Sequence, residues 1–501
     1  MSRDDFYRNS FILTLSNLTT GVLKFLFSII LSRELGAEGL GLYALIMPIY
    51  DLFCCLICGG MVTSLSKEAS FYYNRNDYAN LRKTVRISFI FDLIWAFIIS
   101  GLFLLFSPSI SKFIIRDNRS LYSLWAIAPA LIFVALSSIY KGYFFGISKV
   151  KVPAYIDVFE KAVRMIAIVG LIKVLSLKNI TYTVTVTYIA LSLGELLSFI
   201  LLFIYYKTNN KIPNTPSTKN IETGFQLLFN ILILAIPLCI NGFLTTAISS
   251  FSTLLIPRRL VSAGIDYKVA LGMIGRFSGM ALTIVFFPMT IIFSISTLLI
   301  PDISKSIAVN DFYALENRIK EVMQISLLLG LGNLIICLTI PNNLGIMFFG
   351  RNDLGEYIKL ASLSAPFTYM AASGYSILNG IGKQKRVLIN SLITSILQVF
   401  LFYILLGIPS INIYGYGITF LIVSIISLIL NFRDIYKFCP IEFNFGNIVI
   451  NILLTFLIYF CIQLLDSIIP NSNMIFKNTL IIFMGFSIFF LSVFLIQKQE
   501  S

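Results

Sequence analysis

Long apolar runs separated by short polar connectors set the pattern of this chain. Runs of about 18 to 25 residues recur, each long enough at 1.5 Å per residue to cross a hydrocarbon core of roughly 30 Å. Backbone groups in lipid must pair internally, so each run predicts a helix. A β-barrel would need apolar and polar residues to alternate, and runs such as ILLTFLIYF (Ile452 to Phe460) do not. The pattern predicts an all-α integral membrane protein with about 14 spans. The first six lie near Asn9–Leu31, Leu40–Leu65, Ile87–Phe106, Leu121–Tyr140, Pro153–Leu175 and Tyr182–Tyr206. The next six lie near Leu227–Ile256, Leu271–Ile300, Val322–Ile340, Tyr357–Leu378, Val387–Leu406 and Ile413–Phe432. A final pair falls near Ile448–Leu465 and Ile475–Ile496.

The polar stretches give the organisation. Lys207 to Gly224, rich in Asn, Thr, Ser and Pro, reads as a linker between an N-terminal lobe (1–206) and a C-terminal lobe (225–440), with 441–501 as an additional helix pair. The connector Gly146-Ile147-Ser148-Lys149-Val150-Lys151 is matched by Gly380-Ile381-Gly382-Lys383-Gln384-Lys385, an offset of 234 residues (380 less 146). The same offset places Thr63 on Thr297, Leu65 on Leu299, Glu68 on Asp302 and Ser70 on Ser304. Six spans separate equivalent points, so the two six-helix lobes insert with one polarity, related by a pseudo-two-fold axis along the membrane normal. We read the two connectors as cytoplasmic hinges, with Gly146, Lys149, Lys151, Gly380, Lys383 and Lys385 as their defining residues. Lys and Arg concentrate in alternate connectors, among them Ser66 to Arg86 and Gly382 to Arg386, which puts both termini in the cytoplasm.

Composition narrows the chemistry. The chain is 57% hydrophobic and 12% charged over 501 residues, far from the roughly one quarter charged of soluble domains. Its net charge of +14 lies between apolar runs, where the positive-inside rule accounts for it, and nucleic-acid binding is not indicated. Cys54, Cys55 and Cys58 fall inside an apolar span with no histidine in the chain, so they read as packing residues; no metal site is expected. The absence of histidine also removes the commonest general base, and no catalytic residue or resident cofactor is expected. A membrane-embedded enzyme using Asp or Glu with a metal is the outlying alternative.

Charges within spans are the candidate chemistry, because each costs at least roughly 2.5 to 3.5 kcal/mol at mid-membrane and therefore faces protein or water. In the fifth span Asp157, Glu160, Lys161 and Arg164 share one helix face, and Arg164 lies roughly 16 Å beyond the start of that helix, near the midplane. Two readings are open: a structural Glu160–Arg164 pair at i, i+4, or a polar wall whose basic groups hold an anion while carboxylates gate it. Lys24, Asp51, Asp92 and Glu195 add charge to four other spans. The second half is poorer: Thr394 and Gln398 occupy the repeat positions of Glu160 and Arg164. Arg276 is its main buried charge and either faces inward or snorkels outward from the outer end of its span.

Four segments carry a resemblance: ILSRELGAEGLGLYALIMPIYD (Ile30 to Asp51), KGYFFGISKVKVPAYIDVFEKAVR (Lys141 to Arg164), GRFSGMALTIVFFPMTIIFSISTLLIPDIS (Gly275 to Ser304) and NGIGKQKRVLIN (Asn379 to Asn390). They resemble the polysaccharide exporter branch of the multidrug/oligosaccharidyl-lipid/polysaccharide superfamily, and within it the stage V sporulation protein B group. The resemblance implies two six-helix lobes plus a helix pair, working by alternating access in the bacterial cell membrane. It implies flipping of a polyprenyl-diphosphate-linked saccharide, a peptidoglycan precursor for spore cortex, with membrane lipids and cell-wall or spore-cortex synthesis enzymes as partners. Lys24, Arg276 and Arg164 would then attract the diphosphate in a net-positive cavity, with Asp51 and Glu160 shaping or gating it. Teichoic acid or capsular precursors, and a cation-coupled multidrug antiporter, are the alternative cargoes. Proton, sodium and membrane-potential coupling all stay open, although span seven lacks the carboxylate that relatives use for sodium.

Overall fold

The computed structural model describes residues 3–175, 179–208, 222–309, 311–440, 445–468 and 476–487. Residues 209–221 of the expected linker, and the two chain ends assigned to the cytoplasm, lie outside the described residues. Every regular element among the described residues is helical, as the apolar runs require. Nine helical stretches among them are long and apolar enough to cross a membrane. The first of these, Thr14–Asn74, has 61 residues. At 1.5 Å per residue that is about 90 Å, more than one crossing of a roughly 30 Å core.

The chain divides into two compact units, Met1–Leu23 with Glu34–Leu254, and Lys24–Arg33 with Leu255–Ser501. In the first unit α1 (Arg3–Cys58) is kinked at Gly36, whose φ of 66° and ψ of −176° suit glycine alone. α2 (Met61–Asn74) and α3 (Tyr78–Ser109) follow, so the basic segment after the second span is a helix-turn-helix rather than an extended loop. α4 (Leu121–Gly146), α5 (Lys151–Val174), α6 (Ile180–Thr208) and α7 (Gly224–Ser262) complete the set, α7 belonging to this unit as far as Leu254. Met61, Leu65, Ala69 and Tyr72 recur at spacings of four, four and three and make one buried stripe on α2. They pack with Leu81 and Val85 of α3, Tyr140, Tyr143 and Phe144 of α4, and Leu227, Ile231 and Ala235 of α7.

The second unit continues through α8 (Tyr267–Ile274), a π-helical turn at Gly275–Ala281, α9 (Leu282–Phe286), α10 (Met289–Ala308) and α11 (Phe312–Thr339). Then come α12 (Pro341–Phe349), α13 (Gly355–Ser362), α14 (Ala365–Gly380), α15 (Gln384–Leu405), α16 (Tyr414–Tyr436) and α17 (Phe445–Ile468). Its core includes Leu299, Ile303, Leu315, Ile319, Ile377, Leu378 and Ile381. These are the positions of Leu65, Ala69, Leu81, Val85, Tyr143, Phe144 and Ile147 moved by 234 residues, all of them core in the first unit.

Backbone geometry recurs at that same offset. Lys149 N–H donates to the Phe144 carbonyl at 2.8 Å, and Lys383 N–H to that of Leu378 at 2.9 Å. Ser148 and Gly382 between them both have positive φ, 60° and 81°. Asp77 caps α3 through the N–H of Asn80, and Asp311 caps α11 through that of Ala314. A Cβ on Gly146 would lie 2.6 Å from Ala69 Cβ and from the Ser66 carbonyl; one on Gly380 would lie 3.1 Å from Ile303 Cβ and 3.3 Å from the Ile300 carbonyl. In both connectors a glycine lets the helix before the turn lie against its neighbour.

Candidate functional site

In the first unit the charges of α5 are brought together as their spacing requires. Arg164 Nε donates to Glu160 Oε1 at 2.7 Å, and its second terminal nitrogen contacts the same oxygen. That nitrogen also bonds Glu195 Oε1 of α6 at 3.0 Å. Glu160 is buried and the Arg164 and Glu195 side chains are nearly so. Lys161 lies 4.0 Å from Glu160 Oε2, and Lys141 of α4 binds Asp157 Oδ1 at 2.8 Å. The ladder thus holds three cations and three carboxylates. It is balanced rather than positive, which is what low-dielectric surroundings demand of ions. Gly194 on α6 makes the approach feasible, because a Cβ there would collide with Glu160 Oε1.

Below the ladder, Tyr188 donates to the Tyr43 carbonyl at 2.9 Å and the two rings stack at 5.1 Å. Asp51 lies on α1 and is exposed. The i, i+4 pair was legible in the sequence. The third partner, Glu195, is 31 residues from Arg164, and only the packing of α5 on α6 selects it.

The second unit holds Lys24 and Arg276. Ser28 donates to the Gly279 carbonyl at 2.7 Å, and the Phe25 and Phe287 rings meet at 4.5 Å, so α1 runs antiparallel to the helix carrying Arg276. In that register Lys24 and Arg276 are offset by about 10 to 18 Å along the axis. Lys24 is exposed and has no ion-pair partner among the described residues. Arg276 Nη1 binds Asp353 Oδ2 at 3.0 Å, and its guanidinium lies 5.7 Å from the Tyr357 ring centre. Arg351 grips the same carboxylate through two bonds, of 2.8 and 2.7 Å. Those bonds first, with Arg276 adding to them, hold the Asp353 carboxyl down at about 2, well below its usual range. Arg276 therefore reaches toward the connector after α12, where Asp353 holds it. Asp353 and Arg351 were not anticipated, since nothing in the sequence links them to a residue some 75 positions earlier.

Thr394 and Gln398 stand where Glu160 and Arg164 would be repeated, and Thr394 only bonds back to the carbonyls of Asn390 and Ser391. In the connectors Gly146 and Gly380 are buried, Lys149, Lys383 and Lys385 exposed and Lys151 half-buried. Among the described residues no group of three His, Cys, Asp or Glu side chains is placed to hold a metal.

Comparison with known proteins fits this architecture. The chain is 25% identical over 443 residues to stage V sporulation protein B of Bacillus subtilis (strain 168), covering 88% of this chain and 86% of that protein. It is 24% identical over 419 residues to the lipid II flippase MurJ of the same organism, covering 79% and 76%. Among solved structures, the inward closed conformation of a lipid II flippase MurJ superposes with a TM-score of 0.71 at 16% identity, covering 99% of this chain and 100% of that one. An inward-facing multidrug resistance MATE transporter of the MOP superfamily gives 0.66 at 14% identity, over 82% and 93%. With its apolar helices, the chain is a multi-pass protein of the bacterial cell membrane. The family model described as polysaccharide biosynthesis protein matches residues 6–307, more than half of the chain, and the chain belongs to that family.

Proposed function

We propose that this protein is a flippase that moves a polyprenyl-diphosphate-linked saccharide across the cell membrane by alternating access, and that its cargo is a peptidoglycan precursor for spore cortex. The observation that carries this reading is the 25% identity with stage V sporulation protein B, sustained over 88% of the chain. The chemistry is compatible. A diphosphate and a sugar cannot enter hydrocarbon unaided, and fixed cations replace their hydration. In the second unit Lys24 is the exposed cation for that role, and Arg276 is the second once Asp353 exchanges it for phosphate oxygens. In the first unit Arg164, Glu160 and Asp51 line the path as a balanced polar wall. Ion or membrane-potential coupling drives the cycle, and cell-wall or spore-cortex synthesis enzymes are the partners.

We also infer two six-helix lobes (1–206 and 225–440) related by a pseudo-two-fold along the membrane normal, and a terminal helix pair (441–501) that brings the count to about fourteen. The geometry recurring at the 234-residue offset supports this, with the two connectors as hinges. The lobes follow the repeat, whereas compactness groups α7 up to Leu254 with the first unit.

A leaflet-translocation assay in proteoliposomes tests the function. Movement of lipid II, lost in Lys24→Gln, is the expected result. Movement of a teichoic acid precursor instead would change the cargo, and cation-driven dye efflux with neither lipid moving would overturn the proposal.

A further inference from the structure

Among the described residues, Asp92 on α3 is the one fully buried carboxylate in the first unit that the charge ladder does not use. It is 0% exposed, and Oδ1 has no hydrogen-bond partner. Oδ2 faces only the Ser138 hydroxyl of α4 at 3.5 Å, and that hydroxyl makes its better bond, 2.7 Å, to the Ala135 carbonyl. No Lys or Arg approaches within ion-pair distance among the described residues.

The surroundings explain why. From α1 the facing group is Cys58, which interacts with Asp92 electrostatically, and from α4 it is Ser138. Lys141, one turn beyond Ser138, is the nearest cation on α4, and Asp157 of α5 holds it at 2.8 Å. On α2, Lys67 is exposed and Glu68 interacts with Lys67 and Glu222. On the π-helical turn Ile110–Ile115 that follows α3, Lys112 is exposed and lies 20 residues on, about 30 Å away. Glu195 of α6 acts on Cys58 but is bonded to Arg164. An ionised Asp92 would thus be an unpaired buried charge, which proteins do not tolerate without a partner.

The repeat shows that packing does not require the acid. The 234-residue offset puts Ser326 of α11 at the position of Asp92, equally buried and bonded to Ser373 of α14. A neutral hydroxyl pair closes that seam. The first unit carries a carboxyl where a serine suffices.

We propose that Asp92 is a proton-binding site at the α3–α4 seam: it carries a proton while the seam is closed and gives it to water when the seam opens and Lys141 leaves Asp157 to face it. The closed form then binds one proton more than the open form. Its stability is full below the point where the open form loses its proton and is lost as pH rises from there through the point where the closed form loses its own. Alkali therefore favours opening.

The test needs no knowledge of cargo. In lipid nanodiscs at neutral pH, the infrared spectrum of the full-length protein should show a protonated-carboxyl stretch that Asp92→Asn removes. Hydrogen exchange of α3 and α4, corrected for intrinsic rates, should rise with pH in the wild type and stay flat in Asp92→Asn. Ser138→Ala, which keeps the carboxyl, should shift the band rather than remove it. A band unchanged in Asp92→Asn, or the same pH response of exchange in both proteins, would overturn the proposal. If Asp92→Asn does not fold, a band insensitive to Ser138→Ala overturns it as well.

Discussion

Removing the charge of Arg164 should cost more than removing either of its carboxylate partners. Two unit charges about 3 Å apart attract by about 5 kcal/mol at an effective dielectric of about 20. Arg164 makes two such contacts, one with Glu160 and one with Glu195 at 3.0 Å. Arg164→Gln forfeits both and leaves two carboxylates facing each other. Rehydration and proton uptake recover part of that, so the net loss falls in the range found for broken buried pairs, about 3 to 5 kcal/mol. Glu195→Gln loses one attraction but keeps a hydrogen bond of about 1 kcal/mol, and Arg164 retains Glu160, so the cost is about 1 to 2 kcal/mol. Adding Glu160→Gln to Arg164→Gln removes one of the stranded carboxylates. The double variant should therefore be more stable than the sum of the singles, with a coupling of about 1 to 3 kcal/mol. Reversible unfolding in mixed micelles, followed by the fluorescence of Trp95 and Trp125, measures the wild type, the single variants Arg164→Gln, Glu160→Gln and Glu195→Gln, and the double variant. Additive losses in the double variant, or Arg164→Gln no less stable than Glu195→Gln, would refute the ladder as a coupled unit.

Two further outcomes follow from local geometry. Gly146→Ala should destabilise by about 1 to 3 kcal/mol, because its Cβ meets a backbone carbonyl and Ala69 Cβ at 2.6 Å. Gly380→Ala should cost less, since its nearest obstacle is the Ile303 side chain at 3.1 Å; thermal unfolding of the two variants gives the order. The Asp353 carboxyl, held at about 2 by Arg351 and then Arg276, contributes stability that is present above the ordinary aspartate value and is lost only as pH falls through about 2. Hydrogen exchange across 350–357, corrected for intrinsic rates, should therefore not change between pH 7 and pH 4, whereas Asp353→Asn should raise it at both.

The helices and the turn shared by the two connectors were readable in the sequence because each rests on a local rule. Apolar run length fixes a span, and Gly-Ile-x-Lys-x-Lys fixes a turn that both copies close with the same hydrogen bond. The Glu160–Arg164 pair was readable for the same reason, as an i, i+4 spacing on one helix. What the sequence hid was tertiary choice. Glu195 and Asp353 are ordinary acids along the chain, and only helix packing makes one the partner of Arg164 and the other that of Arg276. The acids on α5 itself, Asp157 and Glu160, were visible in its sequence; packing adds Glu195 of α6 to Arg164 and, separately, Asp353 to Arg276. The unbroken helix of α2 was likewise hidden, because its polar residues are amphipathic rather than loop-like.

The two copies have kept what shapes the backbone and diverged in what carries charge. The caps at Asp77 and Asp311, the glycines at 146 and 380 and the core positions Leu65, Ala69, Leu81, Val85, Tyr143, Phe144 and Ile147 have counterparts, since losing any of them opens a helix end or a seam. At the positions of Asp92, Glu160 and Arg164 the second copy has Ser326, Thr394 and Gln398. Several of its buried polar bonds are between neutral groups: Asn390 bonds Asn431 at 3.0 Å, Asn431 the Ala371 carbonyl at 3.1 Å and Asn333 the Val285 carbonyl at 2.8 Å, with Asp434 as a buried acid that also accepts from Asn390. Neutral networks of this kind close a seam without the desolvation cost of ions. Because one copy shows that the scaffold stands without these charges, their retention in the first copy is better explained by a cycle that moves charge than by the demands of the fold.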